Sequence, residues 1–325
     1  VKLLLNLLAI SFLFVACSSK NHFEPKEPQS DISLDIKPMS DEIQSFRLDS
    51  GVTLLDGTII VDSTALENKL PEGFNLLNYN DNKVIAVNNH TLKVSDQTID
   101  FSEEVVAASL RDNVLALIFI DNSIAMYDLN TKKIIFKDYY EHSFLNDIKI
   151  SNPYFMDNII LYPTLDGKVI VVDIDTKKVI RNIVVSTKDD IKNIIFIGVV
   201  GDNFIAASSN KIIALGNGTI HSQDYSISSI ITSKNNIYIT TIDGQIIKLD
   251  NTLKEIASKK YKFAKFFGLV YTDGFVYALE SEGYIVSIDD NFTKDAIYEF
   301  DFDNEKYAIA IKNTFYFEDK YLEIK

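Results

Sequence analysis

The sequence predicts an all-β protein: a β-propeller of eight blades, each of four antiparallel strands, with seven blades as the alternative. Three observations carry that expectation. A hairpin phrase recurs about every 38 residues from residue 50 onward. Short runs rich in Val, Ile, Tyr and Phe flank each turn, and no stretch of helical periodicity separates them. The chain has 325 residues and is 46% apolar, so one large body can bury a core.

The N-terminus comes first. Lys2 precedes an apolar run from Leu3 to Ala16, broken only by Asn6 and Ser11. That run is short for a bilayer span and reads as the core of a signal peptide, residues 1–16. It ends in Phe14-Val15-Ala16-Cys17-Ser18-Ser19, which resembles a bacterial lipobox, with Phe14 where Leu is usual. The resemblance implies lipidation of Cys17, the only cysteine, and several acyl tails anchor stably. Ser18 rather than Asp follows, which by the same resemblance places the anchor in the outer membrane, facing the periplasm.

Residues 17–40 are polar and hold Pro25, Pro28 and Pro38. Such composition predicts an extended, mobile tether. Residues 32–36 alternate apolar and polar and are a candidate strand within it.

Residues 41–325 are expected to form the single propeller domain. The turns fall at Asp56-Gly57, Asn88-Asn89, Asp121-Asn122, Asp166-Gly167, Ser209-Asn210, Asp243-Gly244, Glu282-Gly283 and Asp319-Lys320. Asp-Gly between apolar runs predicts a type I′ turn, which needs positive φ at both central residues. The second strand of each phrase usually ends in Asp: Asp62, Asp96, Asp128, Asp173, Asp250 and Asp289. Each carboxylate is placed to accept backbone N–H bonds in an Asx-type turn, a structural task and not a catalytic one. Further strands, such as 179–185 and 194–200, fill the spaces between hairpins. Stacked blades bury both faces of a strand, which accounts for apolar runs such as 191–200.

The last period shows only three strands, beginning at Tyr307, Thr314 and Tyr321. An open ring leaves an exposed sheet edge. An N-terminal strand, 43–48 or 32–36, is therefore expected to complete the final blade.

Two phrases carry a resemblance. Asp128-Leu-Asn-Thr-Lys-Lys-Ile-Ile-Phe136 and Asp173-Ile-Asp-Thr-Lys-Lys-Val-Ile180 resemble quinoprotein-like propeller repeats, which read Asp-x-x-Thr-Gly-Lys, an apolar residue and Trp. With eight units and a lipobox, the chain distantly resembles the family of the outer-membrane assembly factor BamB. Lys132 and Lys177 stand in place of the Gly, and Phe136 and Arg181 in place of the Trp. The resemblance implies a lipid-anchored periplasmic scaffold for β-barrel assembly, touching the barrel assembly machinery through loops at one end. Another cell-envelope complex or periplasmic ligand is the alternative partner.

Composition narrows the function further. Net charge is −14 with both signs interspersed and no basic face, which argues against nucleic acid. His22, His90, His142 and His221 have no metal-ligand spacing. No phosphate loop or Ser-His-Asp arrangement is present. A quinone-dependent dehydrogenase on the same fold would need, by resemblance, stacking Trp and a cysteine pair, and the chain has no Trp. The expectation is a non-enzyme with no cofactor and no metal.

Two stretches carry aromatics outside the strand pattern. Tyr139, Tyr140, His142 and Phe144 lie near Tyr154 and Phe155, and Lys259, Lys260 and Tyr261 open a run of bases and rings. Aromatics off the core pattern mark interfaces. The competing reading is that these rings pack between blades in place of the missing Trp.

Overall fold

A computed structural model describes residues 22–29, 35–187, 190–233, 235–299 and 308–324. Among these residues there is no helix, and the strands form eight four-stranded antiparallel sheets, a β-propeller of eight blades. We number the blades in chain order from Ile43–Arg47, the inner strand of blade 1. Blade 3 shows the plan: Val105–Arg111, Val114–Phe119, Ser123–Asp128 and Lys133–Tyr139 run from the axis outward.

The eighth blade borrows its outer strand from the other end of the chain. Ile36–Pro38 pairs antiparallel with Lys320–Glu323, placing Ile36 opposite Leu322. This corrects both expected closing strands. Stretch 43–48 supplies the inner strand of blade 1 instead. Stretch 32–36 meets the closing strand only at Ile36, and residues 30–34 lie outside the described residues. The connection sets the position. Passing from outer edge to axis covers about 14 Å, or about four extended residues. The strand that precedes Ile43 must therefore end near Pro38. Pro38, lacking an N–H, also suits a short edge strand.

The described part of 17–40 is docked rather than free, which corrects the mobile tether there. Phe23 is buried, edge-on to Tyr261 and Tyr284 with ring centroids 6.2 and 5.6 Å away. Gln29 N donates to Ile297 O at 2.8 Å, making a parallel bridge to the outer strand of blade 7. Composition averages over the stretch and so misses one Phe with a pocket to fill. The signal-peptide stretch 1–16 and Cys17 lie outside the described residues.

All eight expected turns join the second and third strands of a blade, but the turn type differs from expectation. Gly244 has φ 83° while Asp243 is not left-handed, and Gly244 N donates to Thr241 O at 3.0 Å. This is a type I turn closed by a left-handed residue. The extra residue leaves room for a brace. The Thr241 hydroxyl donates to the Asp243 carboxylate and accepts from Gln245 N at 3.1 Å. Type I′ geometry appears at other hairpins, as at Asp81-Asn82 and Asp273-Gly274, where both residues have positive φ.

The strand-ending aspartates behave as expected in four cases. Asp128 accepts from Thr131 N at 2.7 Å, Asp173 from Thr176 N at 2.7 Å, Asp250 from Thr252 N at 2.8 Å and Asp289 from Thr293 N at 2.7 Å. Asp62 instead sits in a type I′ turn and pairs with Lys312 at 2.5 Å.

Burial on both faces holds for the second and third strands but not the outer ones. Lys178–Val184 is mostly exposed and Thr219–Asp224 entirely so. Blades diverge with distance from the axis, so outer strands lose their neighbours. Stretch 191–200 is likewise only partly a strand, Phe196–Val200.

Tyrosines fill the seams that Trp docks in the resembled repeats. Tyr162, in the second strand of blade 4, donates to Ala125 O of blade 3 at 2.9 Å. Tyr238 of blade 6 donates to Asp290 beyond the outer end of blade 7's third strand, and Lys248 pairs with Asp290 at 2.7 Å. Tyr316 of blade 8 accepts from Ser63 N of blade 1 at 3.1 Å. Each ring has an apolar body for the seam and a hydroxyl that bonds across it, to backbone groups at Tyr162 and Tyr316 and to a carboxylate at Tyr238. Tyr162→Phe removes the bond to Ala125 O across the seam, and a loss of about 1 kcal/mol in urea unfolding is expected.

Candidate functional site

Residues 140–153, between blades 3 and 4, form the longest connection between described consecutive strands. The connection has two parts. The first stands out from the body. Tyr139 is 67% exposed, Phe144 89%, Leu145 55% and Ile148 75%. His142 and Phe144 contact each other with ring centroids 4.8 Å apart.

This finger is held by polar bonds at its base. Asn122 Nδ2 donates to Glu141 O at 2.6 Å. Ser143 is buried and donates to Leu145 O at 3.1 Å. Asn193 is fully buried; it accepts from Asp147 N at 2.6 Å and donates to Lys149 O at 3.1 Å. Tyr140 is half-buried and donates to Asp138 at 2.8 Å; burial and that carboxylate push its phenol well up. The apolar tips are therefore displayed on a fixed base, which lowers the ordering cost of binding.

The second part enters the axis of the propeller. A cavity of about 950 Å³ lies there, with residues from the inner strands of all eight blades in its wall. The wall is two-sided. Blades 1 to 3 contribute Arg47, Asp49, Asn78, Asn80 and Arg111, while blades 5 to 7 contribute Phe196, Ile197, Ile230, Ile231 and Tyr271. Inner strands have one unpaired edge, whose N–H and C=O groups need partners. Side chains supply them. Asn80 Oδ1 accepts from Leu110 N at 3.1 Å, Asn78 donates to Ala108 O at 2.8 Å, and Arg47 Nε donates to Leu76 O at 3.2 Å.

Asn152 is the hub of this lining. Its amide donates to both oxygens of Asp49 at 2.9 Å and to Leu77 O at 3.0 Å, and it accepts from Ala108 N at 3.0 Å. One residue of the connection thus ties blades 1, 2 and 3. Lys149 Nζ donates to Ser228 O across the axis in blade 6, and confinement lowers its pKa. Asp49 is open to the cavity yet ringed by protein. That confinement raises its carboxyl above the usual range, against the Asn152 donors and Arg47.

The expected site residues separate into two places. Tyr139, Tyr140, His142 and Phe144 belong to the finger, and Tyr154 and Phe155 begin the strand that follows it. Tyr154 is 43% exposed, and the Arg111 guanidinium lies over the Phe155 ring at 4.8 Å. Lys259, Lys260 and Tyr261 lie on blade 6, apart from the finger. Lys259 pairs with Asp295 at 2.6 Å and Lys260 with Asp243 at 2.7 Å. Tyr261 is buried in the seam with blade 7, so its ring packs between blades. Sequence reasoning missed Asn152, Asn193 and Asp49. Asn152-Pro153, a break ahead of a strand, was the available signal for the first.

Among the described residues no group of three or more His, Cys, Asp or Glu is placed to hold a metal ion. No described helix is long and apolar enough to cross a membrane.

No protein-family profile matches the chain. Among solved structures, BamB from Moraxella catarrhalis superposes with a TM-score of 0.66 at 13% identity, covering 92% of this chain and 99% of that one. The chain has the fold of BamB. The C-terminal WD40 domain of Sif2 superposes at 0.62 with 12% identity, covering 91% of this chain and 100% of that one. At such identities the likeness to BamB is one of fold. In sequence the chain is similar to the plasminogen-binding protein PgbB of two Helicobacter pylori strains. It is 30% identical to that of strain J99 and 29% to that of strain 26695, over 206 residues, 63% of this chain. The match spans about two fifths (38%) of those relatives' own length.

The hub is testable through its charge. Asn152→Asp sets a second carboxylate against Asp49 in a confined site, which raises the pair's pKa. The cost is present above that raised pKa and is relieved as pH falls through it. Urea unfolding is expected to show a loss of about 2–3 kcal/mol at about pH 7 that shrinks toward pH 4.

Proposed function

We propose that the chain is a protein-binding scaffold of the bacterial cell envelope whose docking element is the finger at 139–148. The observation that carries this reading is the exposure of Phe144 and Leu145, with Ile148 exposed where the connection turns into the cavity wall, on a base fixed by the buried Asn193. Exposed apolar side chains cost little when rigidly held and become anchors when covered. The fold of BamB and the sequence likeness to a protein named for binding plasminogen both support protein partners.

In its finer form, the scaffold is anchored through a lipid on Cys17 and faces the periplasm from the outer membrane. There it serves β-barrel assembly by engaging the barrel assembly machinery. The lipobox-like run before Cys17 and the BamB fold support this form. The likeness to PgbB favours a second reading, in which the partner is a plasminogen-like extracellular protein. The chain is proposed to have no enzymatic activity and no quinone cofactor. It has no Trp to stack on such a ring and one Cys where a pair is needed, and Asp49 in the axis is engaged by Asn152.

The test is affinity capture from cross-linked bacterial membranes, with wild type beside Phe144→Ala/Ile148→Ala. Barrel assembly components are expected on the wild type and at least about tenfold less on the double variant, a loss of about 1.4 kcal/mol. Equal capture by both would remove the finger from the account. Capture of no assembly component, with saturable binding of purified plasminogen, would favour the second reading.

A further inference from the structure

The sequence contains three Asn-x-Thr triplets: Asn89-His90-Thr91, Asn217-Gly218-Thr219 and Asn291-Phe292-Thr293. This triplet is the acceptor for N-linked glycans in exported proteins, provided it lies on an accessible loop. All three asparagines are exposed. Their surroundings differ, and the difference selects one.

At the first two triplets the Thr belongs to a sheet ladder. Thr91 opens the strand Thr91–Val94 opposite Asn88 and donates to Asp100 at 2.7 Å. Thr219 opens the strand Thr219–Asp224 opposite Gly216. Drawing either triplet into an enzyme requires unzipping a hairpin. The third triplet lies wholly between strands, after Tyr284–Asp289 and before Asp295–Glu299. Its bonds converge on a single residue. The Asp289 carboxylate accepts from Thr293 N at 2.7 Å, Thr293 Oγ1 at 2.9 Å and Lys294 N at 2.6 Å. Asp289 O accepts from Phe292 N at 2.8 Å, and Asp289 N donates to Lys294 O at 3.0 Å. Releasing Asp289 frees the loop while leaving every ladder pair intact, an opening far cheaper than global unfolding. Asp290 stays fixed in the seam by Tyr238 and Lys248, so the opening is confined to 291–294.

Asp289 has a second consequence. It places a carboxylate two residues before the acceptor, giving Asp-x-Asn-x-Thr. An anionic side chain at that spacing is a handle for a cationic group on a transferase, and neither other triplet has one: Val87 and Leu215 stand there.

We propose that Asn291 is an acceptor for an N-linked oligosaccharide, transferred by a membrane oligosaccharyltransferase from a polyprenyl-pyrophosphate donor. Asn291 Nδ2 forms the bond to C1 of the first sugar. The C1–O bond to pyrophosphate breaks, the leaving group takes that electron pair, and the amide proton passes to a base on the transferase. No oxidant or reductant enters. The assignment rests on the export reading of the first residues, because the donor is used on the far side of the inner membrane.

The test separates those two claims. Purified full-length protein in detergent is incubated with a purified bacterial oligosaccharyltransferase, Mn²⁺ and an undecaprenyl-pyrophosphate-linked oligosaccharide. The expected result is a mass gain of one oligosaccharide on the tryptic peptide covering 266–294. Asn291→Gln is expected to abolish the gain, while Asn89→Gln and Asn217→Gln leave it unchanged. An unmodified wild type, or a gain that persists in Asn291→Gln, overturns the assignment. The same proteins are then expressed in cells carrying the transferase and donor. Modification there supports both claims. Modification in vitro but not in cells upholds the acceptor and overturns the export reading.

Discussion

The structure depends on closing a ring. Each blade presents a flat face that only another blade covers, and an open end would expose both a face and a sheet edge. The pairing of Ile36–Pro38 with Lys320–Glu323 removes that end by joining the first described strand to the last. Met39 N and Ile43 N continue the join, donating to Asp319 O and Glu318 O. The segment at 22–29 adds a second tie, with Phe23 wedged beside Tyr261 and Gln29 bridged to Tyr298. Two blades near the seam are thus held by the same N-terminal stretch.

Closure dictates where polar chemistry must go. Inner strands crowd the axis with unpaired backbone groups, and Asn78, Asn80, Asn152 and Arg47 answer them. Outer strands diverge and face solvent. Between these limits the seams hold the large buried side chains, with Tyr162, Tyr238 and Tyr316 spanning from blade to blade. What remains for function is the material that the ring does not need. The connection at 140–153 is the main surplus among the described residues, and it is used twice: its base lines the axis, and its tip stands in solvent. On the proposed reading, that tip is what the ring holds out to a partner.

Much of the fold was legible because left-handed positions leave marks. Gly57, Gly167, Gly244 and Gly283 recur at the period that defines the blades, since few other residues tolerate their φ. The type of turn was not legible, because Thr241 bracing Asp243 is a side-chain contact that a dipeptide signal does not contain. The closing strand was misplaced because alternation at 32–36 says nothing of the distance the chain must then cover to the axis. Phe144 and His142 drew notice because rings outside a strand pattern stand out, and the structure shows both exposed. Asn152 and Asn193 were not, because a single Asn in a loop or in an apolar run has no period to break. Their roles exist only once blades from distant parts of the chain meet. Tyr261 shows the converse: a ring flanked by lysines reads as an interface and is in fact a seam.

Hydrogen–deuterium exchange of the full-length protein tests ring closure most directly. Peptides covering 35–40 and 318–324 are expected to be protected as strongly as the second strand of blade 3, Val114–Phe119, and to open with it as denaturant is added. Complete exchange of 35–40 within seconds, while blade 3 stays protected, would mean that the N-terminal strand does not close the ring.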